Sequence, residues 1–222
     1  MWFAGPVRQG PDAGRPGALR PGFHLEPGMR VGLFGGSFDP AHEGHAHVAQ
    51  TALRRLRLDR VIWLVSPQNP LKRGRQPAPL TRRLAGARAQ AAGPSMIVSD
   101  VESRIGAAYT LDTVRRLKAR FPGVRFVWVM GSDNLAGFHR WRGWAQIMRA
   151  LPLAVVARPG ALHTSRIAPA ARRFASARVP SRSAAILAGL PAPAWTFLSA
   201  PLNAASSTAL RARGEPSGGL PG

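Results

Sequence analysis

Apolar runs alternate with amphipathic stretches along most of the chain, and this alternation predicts the elements. Six apolar runs indicate strands at residues 31–34, 61–65, 96–98, 124–130, 153–157 and 195–198. Apolar positions with helical spacing predict helices at residues 46–58, 80–92, 109–121, 143–150, 165–175 and 206–213. Several strand runs are continuous rather than alternating, which is typical of strands buried on both faces of a parallel sheet. The pattern predicts an α/β fold: a doubly wound, Rossmann-like parallel sheet of about six strands with helices on both faces.

The two ends of the chain differ from this pattern. Residues 1–28 are rich in Gly, Pro and Arg and have almost no apolar periodicity, so we expect a disordered leader there. Residues 214–222 are expected to form a disordered tail for the same reason. The chain of 222 residues then holds one domain, at residues 29–213, which is long enough to bury a substantial core.

The net charge of +21 comes almost entirely from arginine, since Lys72 and Lys118 are the only lysines. The basic residues are spread along the chain, and no compact basic block contains interleaved aromatic residues. This distribution disfavours direct nucleic-acid binding and favours the attraction of small polyanionic substrates.

The composition also excludes several classes of protein. Cysteine is absent, which excludes disulfides, a thiolate zinc site and a cysteine nucleophile. No apolar run reaches the length of a membrane span, and no apolar signal segment follows Met1. We therefore expect a cytoplasmic protein that does not contact a membrane, and a homo-oligomer is compatible with the sequence.

The turn after the first strand carries the strongest chemical signal, Gly35-Gly36-Ser37-Phe38-Asp39-Pro40 followed by His42-Glu43-Gly44-His45. A buried strand leads into a glycine turn, and a helix begins near His42 to His45. Glycines let backbone N–H groups approach a bulky anion, and the start of a helix adds free N–H donors and partial positive charge. The two histidines are three residues apart, so both can point to the same side of the first turn. These features together predict a site for nucleotide phosphates.

Polar residues follow the later strands at the sheet edge where parallel α/β folds bind ligands. Asn69 and Lys72 lie in a proline-containing loop after the second strand, where a substrate phosphate could bind. Gly131 and Asp133 follow the fourth strand, and the carboxylate can accept both hydroxyls of a ribose. Arg158 follows the fifth strand, and its guanidinium suits a phosphate.

Three further segments are weaker signals by themselves. Tyr109-Thr110 begins a helix, and a threonine in that place is more often an N-cap than a ligand contact. Trp141 could stack on a flat ring, although neighbouring tryptophans are more often core residues. Ser206-Ser207-Thr208 begins the last helix with Arg211 one turn on, and this group could hold an anion from the opposite side.

The motif of residues 35–45 resembles the signature of the nucleotidyltransferase superfamily that also holds pantetheine-phosphate adenylyltransferase and the class I aminoacyl-tRNA synthetases. The later segments fall in the order seen in bacterial nicotinate mononucleotide adenylyltransferases, and the resemblance covers residues 29–213. It implies an enzyme of NAD biosynthesis that joins ATP and nicotinate mononucleotide to give deamido-NAD and pyrophosphate.

The resemblance also implies a role for each candidate residue. His42 and His45 are the implied catalytic residues, and the implied ATP site contains both of them with Gly35, Gly36, Ser37, Phe38, Gly131, Asp133, Ser206, Ser207, Thr208 and Arg211. The implied mononucleotide site contains Asn69, Lys72, Tyr109, Thr110, Trp141 and Arg158. Mg²⁺ is expected to arrive on the triphosphate of ATP, and no protein metal ligands are expected.

Three other interpretations stay open at the level of the sequence. A sister nucleotidyltransferase could act on another phosphate acceptor, such as nicotinamide mononucleotide or phosphopantetheine. An RNA-binding module is suggested by the charge, and it predicts a steep salt dependence of binding. A nucleotide-binding regulator without catalysis is disfavoured because both histidines and Arg211 are present.

Overall fold

The computed structural model describes residues 22–67, 77–158 and 167–199. The strands in these ranges are Arg30–Gly36 (β1), Arg60–Val65 (β2), Met96–Ser99 (β3), Arg125–Gly131 (β4), Leu153–Val156 (β5), Arg178–Val179 (β6) and Trp195–Leu198 (β7). The α-helices are Glu43–Arg55 (α1), Leu80–Gln90 (α2), Val101–Arg104 (α3), Thr110–Arg120 (α4), Ser132–Gly137 (α5), Trp144–Ala150 (α6) and Pro169–Arg173 (α7). The 3₁₀ helices span Phe138–Arg140, Ala175–Ala177 and Ser181–Gly189.

All of these strands belong to one parallel sheet with the order β3-β2-β1-β4-β5-β7-β6. The chain moves outward from β1 to β2 and β3, and it then returns to place β4 on the other side of β1. The order therefore reverses between β1 and β4, and in open parallel sheets the crevice at such a point binds ligands. The predicted parallel α/β fold is confirmed.

The sheet separates two apolar cores, because successive side chains on a strand point to opposite faces. In β4, Trp128 and Met130 face the core beneath α4, α5 and α6, whereas Val127 and Val129 face the core beneath α1 and α2. The Ser181–Gly189 helix covers the second core together with α1 and α2. Burial on both faces explains why the strand sequences are continuously apolar.

Among the residues that the structure describes, the sheet has seven strands, against a prediction of about six. The additional strand, β6, pairs only Arg178 and Val179 with β7 at the sheet edge. Two residues carry no readable periodicity, so the sequence pattern did not predict it. Of the helix predicted at residues 165–175, the described part from residue 167 contains α7 and the start of a 3₁₀ turn, and the helix predicted at 206–213 lies outside the described residues.

The packed part of the chain begins before the predicted boundary at residue 29. Leu25 is buried in the core, and the ring of Phe23 stacks on that of Phe121 with centroids 5.8 Å apart. The backbone N–H of Gly28 donates to the carbonyl of Gly123 at 2.9 Å. These few apolar residues lie in a Gly- and Pro-rich window, which hid them from a search for periodicity. Among the described helices, none is both long and apolar enough to cross a membrane.

Candidate nucleotide-binding site

The turn after β1 is fixed by aromatic packing. A Cβ atom added to Gly35 would lie 2.7 Å from the ring of Trp128, and one added to Gly36 would lie 3.0 Å from the ring of Phe38. Phe38 has a positive φ of 48°, which is uncommon for a bulky residue, and its ring is almost completely buried. The Trp128 ring thus leaves no room for a Cβ at Gly35, whereas a Cβ at Gly36 would require the Phe38 ring to shift by a few tenths of an ångström.

The histidine pair lies at the start of α1, as the motif predicted. His42 is the N-cap, it is buried, and its ring centroid lies 3.9 Å from that of His45. The backbone N–H of His42 donates to Nδ1 of His45 at 3.3 Å. An imidazole that accepts a hydrogen bond at Nδ1 carries its proton on Nε2. Neutral His45 therefore carries its proton on Nε2.

The ring of His45 is supported from the core side by aromatic residues. Its centroid lies 5.0 Å from that of Phe38 in an edge-to-face arrangement, and 6.2 Å from that of Phe34. Phe38 packs in turn against Trp63, at 5.1 Å. Because the Phe38 side chain is buried in this cluster, only its backbone is left for the ATP contact that the motif implied.

The structure brings Gly131, Asp133 and Arg158 together beyond the carboxyl ends of β4 and β5. The Arg158 guanidinium donates to the Asp133 carboxylate at 3.2 Å. The buried hydroxyl of Ser132 accepts the backbone N–H of Arg158 at 2.9 Å, which ties the end of β5 to that of β4. A Cβ on Gly131 would meet the Asp133 carboxylate and would lie 2.7 Å from Cδ of Arg158, so a larger residue there would require both side chains of the pair to shift. Asp133 and Arg158 were assigned to different substrates, yet they form an ion pair with each other.

A second group of predicted residues meets at the start of α4. Tyr109 occupies the N-cap and Thr110 is the first helical residue, whereas Thr110 was expected to be the cap. The Arg142 guanidinium lies 4.6 Å from the centroid of the Tyr109 ring. Trp141, the residue before this arginine, packs edge-to-face on Trp128 with centroids 6.2 Å apart.

Trp128 connects this second group to the turn after β1. Its ring abuts Gly35 on one side and Trp141 on another. The candidate stacking residue Trp141 is therefore linked to the candidate phosphate turn through one buried side chain. This spatial link was not visible in the sequence, because the three residues come from three separate segments.

Arg83 is a residue near the site that sequence reasoning missed. Its side chain is 2% exposed, and it donates to main-chain carbonyl oxygens in three segments: the turn after β1, the loop after β2 and the segment just before α2. The acceptors are Ser37 at 2.9 Å, Ser66 at 2.6 Å, Pro67 at 3.0 Å and Ala78 at 2.8 Å. Burial lowers the pKa of Arg83, and the negative charge of Asp39 opposes this. No sequence signal distinguished it, since an arginine on a predicted helix is normally exposed.

Glu102 is a second missed residue. Its carboxyl is buried between α3 and α4, where it accepts a hydrogen bond from the Thr113 hydroxyl at 3.0 Å. The side chain of Ser66 also hydrogen-bonds to it. Burial raises the pKa of Glu102 to about 7, and the hydrogen bonds from Thr113 and Ser66 oppose the increase because they favour the ionised form.

Several predicted site residues lie outside the described residues. They are Asn69, Lys72, Ser206, Ser207, Thr208 and Arg211. Within residues 22–67, 77–158 and 167–199, no group of three or more His, Asp or Glu side chains could hold a metal ion.

The reversal of strand order, the histidine pair at a helix start and the polar residues at the same sheet edge are typical of nucleotide-binding α/β domains. A family model described as cytidylyltransferase-like matches residues 33–213. The match includes β1 to β7 apart from the first residues of β1, and it includes every residue predicted for the site.

Individual proteins that are more than half identical to this chain carry the name "Probable nicotinate-nucleotide adenylyltransferase". One from Caulobacter sp. (strain K31) is 66% identical over 83% of this chain and 98% of its own length. One from Cereibacter sphaeroides is 58% identical over 84% of this chain and 98% of its own length. The chain therefore belongs to the cytidylyltransferase-like family and, within it, to the nicotinate-nucleotide adenylyltransferases.

A solved structure described as Plasmodium falciparum nicotinic acid mononucleotide adenylyltransferase complexed with NaAD is similar to this fold. The TM-score is 0.63 at 14% sequence identity, and the alignment covers 83% of each chain. At this identity the likeness supports the fold, and it assigns no residue.

Proposed function

We propose that this protein transfers the adenylyl group of ATP to nicotinate mononucleotide, giving deamido-NAD and pyrophosphate. The observation that carries the proposal is the placement of the His42–His45 pair and the Asp133–Arg158 pair at neighbouring strand ends of the reversal point. The names of relatives more than half identical to the chain support the choice of substrate.

The reaction requires little covalent chemistry from the protein. An oxygen of the mononucleotide phosphate attacks the α-phosphorus of ATP and forms a new P–O bond. The bond from that phosphorus to the bridging oxygen breaks, and its electron pair leaves with pyrophosphate. Positioning and charge stabilisation then supply most of the rate.

The donor side of the site consists of the turn at Gly35, Gly36 and Ser37 with the Phe38 backbone, together with the histidines. In this proposal His42 and His45 donate hydrogen bonds to the triphosphate, and His45 stabilises charge on the bridging oxygen. Asp133 accepts the ribose hydroxyls of adenosine, next to Gly131. Ser206, Ser207, Thr208 and Arg211 would hold the terminal phosphates, and Mg²⁺ bound to ATP would neutralise part of their charge.

The acceptor side consists of Trp141 with the start of α4. Trp141 stacks on the pyridine ring, and backbone groups at Tyr109 and Thr110 bind its carboxylate. Arg158 binds the mononucleotide phosphate, with Lys72 and Asn69 assisting. The ion pair between Arg158 and Asp133 supports a proposal in which the two substrate subsites are adjacent. We place the reaction in the cytoplasm.

A pyrophosphate-release assay with a panel of acceptors tests this proposal. Purified protein is incubated with ATP, Mg²⁺ and nicotinate mononucleotide, nicotinamide mononucleotide or phosphopantetheine, and the products are identified by mass spectrometry. We expect the highest kcat/KM with nicotinate mononucleotide and the mass of deamido-NAD. A higher kcat/KM with phosphopantetheine would identify a sister transferase, and a preference for the amide would move the assignment to nicotinamide mononucleotide.

A further inference from the structure

A continuous chain of buried and half-buried polar groups connects the turn after β1 to the first turn of α4. Nη1 of Arg83 donates to the carbonyl of Ser37, in the turn, and also to the carbonyl of Ser66, which follows β2. The side chain of Ser66 hydrogen-bonds to the Glu102 carboxyl. Glu102 accepts from the hydroxyl of Thr113, which lies one turn after the start of α4.

The two ends of this chain lie in the two substrate subsites proposed above. Ser37 belongs to the turn proposed to bind the ATP phosphates. The Thr113 hydroxyl oxygen lies 3.5 Å from the carbonyl oxygen of Tyr109. Tyr109 belongs to the segment proposed to bind the nicotinate carboxylate. Ser66 is the shared residue, since its carbonyl contacts Arg83 and its side chain contacts Glu102.

The burial of both charged groups argues for a specific role. Arg83 is 2% exposed and Glu102 is 5% exposed, and burying such groups is costly unless hydrogen bonds compensate. Apolar residues would fill the same volume at a lower cost in free energy, but they would not fix the direction of the contacts. Four acceptors on one guanidinium fix the loops that carry them with little freedom.

We propose that Arg83 and Glu102 are positioning residues that hold the donor turn and the acceptor helix in register through Ser66. Neither side chain touches a substrate in this proposal. They set the distance between two subsites that are each complete without them. This inference rests on the proposed adenylyl transfer, because the register matters only if both subsites act on one reaction.

A register defect has a distinctive kinetic signature. Displacement of one reactant by about 1 Å can cost on the order of 100-fold in rate, although each reactant still binds. Thr113→Val removes the donor to Glu102 without changing the shape of the side chain, and Arg83→Lys removes the fork that reaches several carbonyls. We expect each variant to lower kcat by about 10- to 100-fold, with the Kd of ATP and the Kd of the mononucleotide, each measured alone, changed less than about threefold.

Conservative and double variants separate positioning from general stability. Glu102→Gln keeps an acceptor for the hydroxyls and should retain most of kcat, whereas Glu102→Ala should lose it. In the Arg83→Lys, Thr113→Val double variant the loss should be smaller than the product of the single losses, because both changes break one network. Arg116 is the matched control, since it joins α4 to the Ile105 carbonyl at 2.7 Å on the exposed side. Arg116→Lys should leave kcat unchanged.

All variants are assayed at a temperature at which circular dichroism shows that they are folded, so a change in kcat cannot be due to unfolding. A lower Tm with unchanged kcat in Thr113→Val would overturn the positioning proposal. This variant is the most informative because it keeps the shape of the side chain and is expected to remain folded. Loss of binding of one substrate, in proportion to the loss of kcat/KM, would also overturn it and indicate a local contact. Wild-type protein is assayed first, and an absence of deamido-NAD would refute the proposed function. If the wild type turns over normally and the variants have the same kcat, only the positioning proposal is refuted.

Discussion

The tautomer of His45 follows from a single backbone contact. Because the His42 N–H donates to Nδ1, the proton of the neutral ring resides on Nε2. The ring is also held by the edge-to-face contact with Phe38. A donor that is already oriented before the substrate binds needs no reorganisation during the reaction, which is the condition for strong electrostatic stabilisation of a transition state.

Replacement of His45 should therefore reduce turnover without unfolding the protein. We expect His45→Ala to lower kcat by about 10²–10³-fold, since one preorganised donor is removed. His45→Gln, whose side-chain amide provides an N–H donor at a similar distance from the backbone, should recover part of this loss. Steady-state kinetics with near-ultraviolet circular dichroism would check both variants. A His45→Ala enzyme with nearly normal turnover would contradict the assignment.

Glu102 makes the stability of the protein depend on pH in a defined direction. Its pKa is about 7 in the folded state, against a reference value of 4.5 for the unfolded chain. Between these pH values the folded state binds more protons, so the contribution of Glu102 to stability is present below pH 4.5 and is lost as the pH rises to about 7. The total change is on the order of 3 kcal/mol, at about 1.4 kcal/mol per pKa unit.

Glu102→Gln should remove this dependence, because the amide does not ionise. We expect the free energy of unfolding of the variant, minus that of the wild type, to increase by up to about 3 kcal/mol as the pH increases from 5 to 8. Urea titrations of both proteins at each pH measure the difference, and the contributions of all other titrating groups cancel. A difference that stays constant, or one that changes in the opposite direction, would contradict burial of this carboxyl.

At the scale of elements, the sequence predicted those parts whose signal is local. Continuous apolar runs identified β1 to β5 and β7, and the motif at His42 placed the start of α1 correctly. The partners of Arg83 could not be predicted, since they are carbonyl groups from three separate segments, and a backbone acceptor leaves no trace in the sequence. The ion pair between Asp133 and Arg158 could not be predicted either, because it joins two segments whose contact depends on the pairing of β4 with β5.

Two glycines in different elements should respond to alanine in opposite ways. Gly35→Ala would place a Cβ 2.7 Å from Trp128, which is buried and cannot move freely. We expect a loss of about 1–3 kcal/mol in stability from this overpacking. A higher KM for the mononucleotide should accompany it, because Trp128 contacts Trp141.

Gly86 provides the matched control within α2. A Cβ there meets only the Cβ of Ala41, at 4.0 Å, so nothing opposes the helix preference of alanine. Gly86→Ala should therefore stabilise the protein by about 0.5–1 kcal/mol and leave both KM values unchanged. Chemical denaturation and kinetics on the two variants would check the pair. Equal effects at both positions would show that the contact with Trp128 does not govern Gly35.

At the scale of the whole molecule, the distribution of charge matters more than its sum. The net charge is +21, and basic residues occur on helices of both faces of the sheet, for example Arg88 on α2 and Arg115 on α4. A nucleic-acid surface would concentrate these residues on one face or along one groove. Dispersed charge instead creates a positive field around the entire molecule, and this field raises the encounter rate of small polyanions without positioning them.

Such a field predicts a moderate and delocalised effect of salt. Because the Debye length is about 10 Å at 0.1 M salt, an increase from about 50 to 200 mM NaCl should raise the KM of ATP and of the mononucleotide severalfold while kcat changes little. Charge reversal at either exposed arginine, Arg88→Glu or Arg115→Glu, should increase both KM values by similar small factors, since the residues lie on opposite faces and neither touches the site. If one reversal acted far more strongly than the other, or if RNA competed with ATP at physiological salt, the charge would be organised as a binding surface. Equal small effects would mean that the arginines act through long-range attraction, and that the substrates are recognised only at the sheet edge.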